Sequence, residues 1–135
     1  MQFVDTNVLL YAISRAPEEL DKARIADSLL AGRDLALSVQ VLQEFYVQAT
    51  RPTRSDALTH RQALDLVIAF SRFPVQATTL ALATAAMATR DRFGLSYWDA
   101  AIIEAARSLG CDRVLSEDLG EGQDYDGVLV TNPFR

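Results

Sequence analysis

Four acidic residues are far apart in the sequence, yet each lies where a folded chain could bring it to a common site: Asp5, Glu44, Asp99 and Asp118. Each follows a short apolar run or lies on an otherwise apolar helical segment, and the carboxyl ends of parallel strands meet at one edge of a sheet. Carboxylates that converge repel one another unless a cation lies between them. Because clusters of oxygen ligands alone suit Mg²⁺ or Mn²⁺ rather than zinc, the four acids predict a divalent-metal site.

The first two acids also have structural interpretations. Asp5 follows an apolar run and precedes a helical pattern, so its side chain could cap that helix, although Thr6 could take over the capping role. Glu44 forms an i, i+4, i+8 polar stripe with Gln40 and Gln48, which is typical of a solvated helix face. The same helix is otherwise so apolar that its carboxylate is expected to be flanked by buried surface and to need a partner.

The other two acids likewise allow two interpretations. Ser96-x-x-Asp99 resembles a capping box at a helix start, but Asp99 is surrounded in sequence by apolar residues. Asp118 follows a predicted strand and enters an acidic, glycine-rich loop, where acids are commonly solvated turn residues. That loop also contains other candidates for the fourth ligand: Glu117, Glu121 and Asp124.

Length and composition narrow the class of protein. The 135 residues are half apolar and carry a net charge of −5, which favours one folded domain (1–135) and argues against nucleic-acid binding by bulk positive potential alone. The net charge does not exclude a nucleic-acid enzyme whose cations are bound metals. The start of the chain lacks a signal-peptide pattern and the apolar runs are too short to span a membrane, so we expect a cytoplasmic protein.

Strand and helix patterns alternate along the chain. Apolar runs predict short strands at 2–4, 35–37, 74–76, 113–115 and 128–130. Helical patterns cover 7–15, 17–30, 39–50, about 56–73, 79–93 and 97–109. Within the fourth helix, the start is assigned to Ser55 or Asp56. This alternation predicts an α/β fold in three layers, with a central parallel sheet of four to five strands between helices.

At this level of detail the chain resembles the PIN-domain ribonucleases, most closely the small VapC-type toxins of type II toxin–antitoxin (VapBC) systems. The resemblance covers the whole chain and rests on five segments: 3–10, 38–45, 97–102, 115–119 and 130–134. It implies a Mg²⁺- or Mn²⁺-dependent endoribonuclease that hydrolyses RNA with Asp5, Glu44, Asp99 and Asp118 as catalytic metal ligands. It further implies polar support from Thr6, Asn7 and Ser116, a homodimer, and an antitoxin segment laid over the cleft.

The alternatives left open are a PIN-like module that only binds a partner, and an RNA-processing PIN nuclease without an antitoxin. The single histidine, His60, is predicted on a helix away from the acids, which favours metal-activated water over metal-free ribonuclease chemistry. Three arginines around the break after the Glu44 helix are candidates for contacts with the RNA backbone: Arg51, Arg54 and Arg61.

Overall fold

A parallel sheet of five short strands runs through the centre of the molecule, in the order β3-β2-β1-β4-β5. The structure is a computed structural model that describes all residues, Met1–Arg135. The strands are β1 (Gln2–Val4), β2 (Leu35–Ser38), β3 (Val75–Gln76), β4 (Arg113–Leu115) and β5 (Leu129–Thr131). Sequence order reverses between β1 and β4, so the sheet has its topological switch point at that pair.

Six α-helices flank the sheet and produce the predicted three-layer α/β/α arrangement. They are α1 (Thr6–Ala12), α2 (Leu20–Leu30), α3 (Val39–Ala49), α4 (His60–Phe70), α5 (Leu80–Phe93) and α6 (Tyr97–Ser108). Helix α1 packs against α2 and α3, α3 packs against α4, and α5 packs against α6, which contacts β2, β3 and β4. No helix is long and apolar enough to cross a membrane.

Several boundaries follow from local sequence signals. The side chains of Ser38, Thr79 and Ser96 accept hydrogen bonds from the first turns of α3, α5 and α6, as expected of N-cap residues. Gly94 ends α5 in the left-handed conformation, with φ of 69°, which a residue with a Cβ atom adopts only at a cost. Phe3, Leu37 and other apolar strand residues are fully buried beneath these helices.

Several predicted boundaries differ from the structure. Helix α4 begins at His60 rather than at Ser55 or Asp56, because Thr59 and Gln62 form a reciprocal capping box there. Helix α1 ends at Ala12, three residues before the predicted end at Arg15, and β5 is shifted by one residue. In each case the type of element is confirmed and only its limit is wrong.

Candidate active site

The site begins where β1 and β4 end side by side. The backbone N–H of Asp5 donates to the carbonyl of Leu115 at 3.0 Å, which places the residues that follow both strands next to each other. The hydroxyl of Ser116 then donates to Oδ2 of Asp5 at 2.7 Å. The topological switch point of a parallel sheet is where such folds form a crevice for ligands.

All four predicted acids line one cavity of about 140 Å³ above this edge: Asp5, Glu44, Asp99 and Asp118. Asp5 comes from the end of β1, Glu44 from α3, Asp99 from the first turn of α6, and Asp118 from the loop after β4. The structure thus brings together residues separated by more than a hundred positions in the chain. Polar and aromatic side chains complete the lining, including Gln40, Gln48 and Trp98.

Asp5 is the most buried of the four, with 8% of its surface exposed. Its Oδ1 accepts from the backbone N–H of Thr6 at 2.7 Å, and its Oδ2 accepts from Ser116. The pKa of Asp5 is raised to about 6, and burial is the largest cause. The negative charges of Glu44 and Asp118 also raise it, whereas the hydrogen bonds from Ser116 and Thr6 act in the opposite direction. A cation in the cavity would offset the cost of keeping this carboxylate ionised.

Thr6 does not take over the capping role from Asp5, because its hydroxyl is used elsewhere. Thr6 Oγ1 donates to Glu44 Oε2 at 2.7 Å, and Asp5 is the N-cap of α1. Gln40 Nε2 donates to the other Glu44 oxygen, Oε1, at 3.1 Å. These two hydrogen bonds fix the carboxylate of Glu44 on the cavity side of α3, so the polar stripe of this helix faces the site.

Asp99 does not complete a capping box. The hydroxyl of Ser96 accepts from the backbone N–H of Asp99 at 3.1 Å, but α6 lacks the reciprocal bond from the Asp99 carboxylate to the backbone of Ser96. The carboxylate instead lines the cavity. Burial raises the pKa of Asp99, a hydrogen bond with Ser96 lowers it, and the charges of Asp118 and Glu44 raise it further.

Asn7 and Ser116 organise the edge of the site next to Asp118. The Asn7 amide donates to Asp118 Oδ2 and to Ser116 Oγ, both at 3.2 Å. Its carbonyl oxygen accepts from the backbone N–H of Glu117 at 3.2 Å. Ser116 Oγ also accepts from the backbone N–H groups of Asp118 and Leu119. The loop after β4 is therefore held so that Asp118 borders the cavity.

The other acids of this loop have partners outside the site. Glu117 pairs with Lys22 at 2.6 Å, and Glu121 pairs with Arg135 at 2.7 Å. Asp124 accepts from the backbone N–H of Gly127 at 2.7 Å. Of the four candidates in the loop, Asp118 alone lines the cavity, which favours it as the fourth acid.

No lysine, arginine or histidine forms an ion pair with any of the four cavity acids. As the side chains are arranged, no three acids converge closely enough to ligate one ion directly. The carboxylate and amide oxygens of the lining are the ligand type of hard cations such as Mg²⁺, which commonly takes one or two carboxylates and keeps several waters. The oxygen-rich lining fits a hydrated divalent cation, and the four negative charges would be balanced by such ions.

The three arginines singled out from the sequence have different environments. Arg61 lies on α4 beside Asp65, with an Nε–Oδ1 distance of 3.3 Å, and does not line the acidic cavity. Arg51 lines a shallow depression beside Glu44. Arg54 lines a depression that also contains Asp118. His60 is exposed and pairs with the Tyr46 hydroxyl, outside the cavity.

Sequence reasoning missed Trp98 as a residue of the site. Its side chain is 63% exposed although it is large and apolar, and it lines the cavity beside Asp99. Its ring packs edge to face on Tyr97, with centroids 4.9 Å apart. Its position immediately before a candidate ligand was the available signal.

The chain matches the family described as the PIN domain over residues 3–120, and no curated protein sequence matches it significantly. Solved structures share its fold. FitAB bound to an IR36 DNA fragment is 20% identical, with a TM-score of 0.73 over 100% of this chain and 96% of that chain. A toxin–antitoxin complex from Klebsiella pneumoniae is 21% identical, with a TM-score of 0.71 over 98% of each chain. The sarcin-ricin-loop-cleaving toxin VapC20 of Mycobacterium tuberculosis is 21% identical, with a TM-score of 0.66 over 87% and 90%.

Proposed function

Because this chain belongs to the PIN domain family, we propose that it is a Mg²⁺- or Mn²⁺-dependent endoribonuclease and the toxin of a toxin–antitoxin pair. The observation that carries the proposal is the cavity at the switch point, which collects four carboxylates without a single cationic partner. Like charges gathered in a cleft repel one another, and carboxyl groups perturbed in this way are typical of active sites.

In this proposal Asp5 and Asp99 are the principal metal ligands, and Glu44 and Asp118 ligate directly or through water. A divalent ion bound there would supply an activated water and would stabilise the negative charge that develops on the phosphate and the leaving oxygen. Cleavage of this kind leaves a 5′-phosphate and a 3′-hydroxyl. The single histidine pairs with Tyr46 and does not line the cavity, so it offers no acid–base alternative among these carboxylates.

The supporting residues fix the orientation of the acids. Thr6 and Gln40 each donate to one oxygen of Glu44, so that carboxylate cannot rotate freely. Ser116 orients Asp5, and Asn7 orients Asp118. Hydrogen bonds from outside the ligand set hold ligands in geometry and are needed for metal affinity. We propose Thr6, Asn7 and Ser116 for this role.

The proposal extends to partners and assembly. Two of the similar structures are FitAB and a toxin–antitoxin complex, which supports an antitoxin as the partner of this chain. Large apolar side chains remain exposed on α4 and α5, including Ile68, Leu80 and Met87. These faces support a homodimer, since exposed apolar surface favours association. We further propose that residues 1–135 act as one PIN domain in the cytoplasm.

The first test is cleavage of total cellular RNA by antitoxin-free protein with Mn²⁺. We expect cutting that stops with EDTA and falls at least about a hundredfold in Asp99→Asn, since removal of one strong electrostatic contribution typically costs that much. Asp91→Asn, an exposed acid on α5, is the matched control and should cut normally. Products should carry a 5′-phosphate.

Other outcomes would redirect the proposal. A 2′,3′-cyclic phosphate at the product ends would contradict the metal-water mechanism. Equal cutting by Asp99→Asn and the parent protein would place the activity elsewhere or in a contaminant. If the antitoxin-free protein binds Mn²⁺ but cuts no RNA, the non-enzymatic binding module becomes the better description.

A further inference from the structure

A second depression of about 280 Å³ opens next to the acidic cavity and contains one positive side chain. It shares Asn7, Gln48 and Asp118 with the cavity, so the two are continuous around these residues. Arg54 is the only basic residue that lines either of them. An RNA strand that crosses the four acids would therefore meet one local cation as it leaves the site past Asp118.

Arg54 is held in place from one side only. Its Nε lies 2.8 Å from Asp56 Oδ1, and the side chains of both residues are about one-fifth exposed, 22% and 21%. The second oxygen of Asp56 accepts from the backbone N–H of Arg15 at 3.1 Å. The hydrogen bond from that N–H is the main cause that lowers the pKa of Asp56, and the charge of Arg54 lowers it further, so this carboxyl stays ionised.

This arrangement leaves the outer edge of the guanidinium available. Neither Nη atom of Arg54 donates to a protein acceptor, whereas Arg72 and Arg107 use both of theirs on backbone carbonyls. Two free N–H donors in one plane match two oxygens of a phosphate, a geometry that lysine cannot provide. The anchoring by Asp56 also reduces the side-chain entropy that is lost on binding.

The charge of the protein gives a cation at this position a role. The protein carries a net charge of −5 and its cavity carries four acids, so the surface around the site repels RNA. A metal held by the four acids would offset their charge where the scissile phosphate binds, but not at the next phosphate along the strand. We infer that Arg54 binds the RNA phosphate next to the scissile phosphate, on the Asp118 side; this inference rests on the proposed nuclease function.

The test uses steady-state cleavage, with Mn²⁺, of a short single-stranded RNA that carries a site cut in total RNA. Arg54→Ala should raise KM about tenfold with little change in kcat, because the contact exists before and during the reaction. It should also flatten the slope of log(kcat/KM) against log salt by about 0.7, the contribution of one phosphate on a single strand. Arg54→Lys should restore the slope but not the full affinity.

Arg61→Ala is the matched control, since Arg61 also pairs with an aspartate but is exposed and does not line either depression; it should change neither KM nor slope. A substrate in which a neutral methylphosphonate replaces the phosphate beside the cut should raise the KM of the parent protein. The same substrate should not raise the KM of Arg54→Ala any further, because the contact is already absent in that variant. Unchanged kinetics of Arg54→Ala, or additive effects of the two changes, would overturn the inference while leaving the nuclease intact. If the parent protein cuts no RNA, the proposed function fails first.

Discussion

At the scale of single residues, Asp5 caps α1 and also lines the acidic cavity, although sequence reasoning treats a helix cap and a metal ligand as alternatives. One carboxylate oxygen caps α1 through the N–H of Thr6, and the other accepts from Ser116. At Asp99 the two roles fall to different residues: Ser96 caps α6, and Asp99 lines the cavity. A capping pattern in a sequence therefore does not exclude a ligand role.

The raised pKa of Asp5 predicts the pH dependence of stability in the metal-free protein. The folded state holds this proton up to about pH 6, against 3.8 for the ordinary carboxyl. The proton on Asp5 therefore contributes to the free energy of unfolding, fully below about pH 4. This contribution is lost as the pH rises from about 4 through 6. Above that range the ionised carboxylate lowers the free energy of unfolding by about 3 kcal/mol, since one pKa unit corresponds to about 1.4 kcal/mol.

Asp5→Asn removes this charge while keeping an oxygen that can cap α1. In EDTA near neutral pH, we expect the variant to raise the free energy of unfolding by roughly 1–3 kcal/mol, because the charge penalty disappears. The difference should shrink toward pH 4. Urea titrations across pH measure it, with Asp91→Asn as the control. A variant that is less stable than the parent protein at neutral pH would contradict the account of burial.

At the scale of elements, the loop after β4 depends on one buried hydroxyl. Ser116 is fully buried, donates to Asp5 and accepts from Asn7, Asp118 and Leu119. Asn7 adds hydrogen bonds to Asp118 and to the backbone N–H of Glu117. The position of Asp118 relative to Asp5 is therefore set by Ser116 and Asn7 rather than by the strands alone.

Ser116→Ala should lower the free energy of unfolding by about 1–3 kcal/mol, because buried N–H donors lose their acceptor. It should also reduce RNA cleavage by tenfold or more, since residues that hydrogen-bond to metal ligands typically contribute that much to affinity or activity. Thr59→Ala is the control for destabilisation: it removes the cap of α4, outside the acidic cavity, and should cost about 1 kcal/mol with cleavage retained. Denaturant titrations and cleavage rates compare the two. If both variants lose the same cleavage activity, the loss in Ser116→Ala is explained by reduced stability alone.

The same scale shows what the sequence can and cannot predict. Boundaries that depend on adjacent residues, such as the Ser38 and Thr79 caps, are readable because both partners are a turn apart. The start of α4 was predicted too early because Asp56, a plausible cap, instead bonds to the backbone of Arg15 and pairs with Arg54. The choice of Asp118 over Glu117 depends on Lys22, 95 residues away, and no local pattern reveals that contact.

At the scale of the whole molecule, the strand order decides where the acids meet. The switch point between β1 and β4 opens a crevice, and α3 and α6 each direct one carboxylate into it. The four segments were predictable as elements, but their convergence was an inference from the parallel fold. The proposed role of these acids therefore depends on global topology more than on any single motif.

Metal binding should stabilise the entire fold. A ligand that binds only the native state raises stability by RT ln(1 + [L]/Kd), about 2.7 kcal/mol at a hundredfold excess over Kd. We expect Mn²⁺ to raise the Tm at neutral pH, and to do so less below about pH 6, where Asp5 holds a proton. Calorimetric scans with and without Mn²⁺ test this, and Asp99→Asn should show a smaller shift. A shift that is independent of pH and of Asp99 would place the ion elsewhere.

The central position of β1 has a further consequence for how the protein is made. Asp5 is synthesised well before Ser116, its hydrogen-bond partner, which lies 111 residues downstream. While the ribosome is still producing the earlier helices, β1 lacks its neighbour β4 and the four acids cannot share a cavity. A nascent chain of this topology carries no assembled site until Asp118 has been synthesised, so the proposed RNA-cutting activity could arise only after that point.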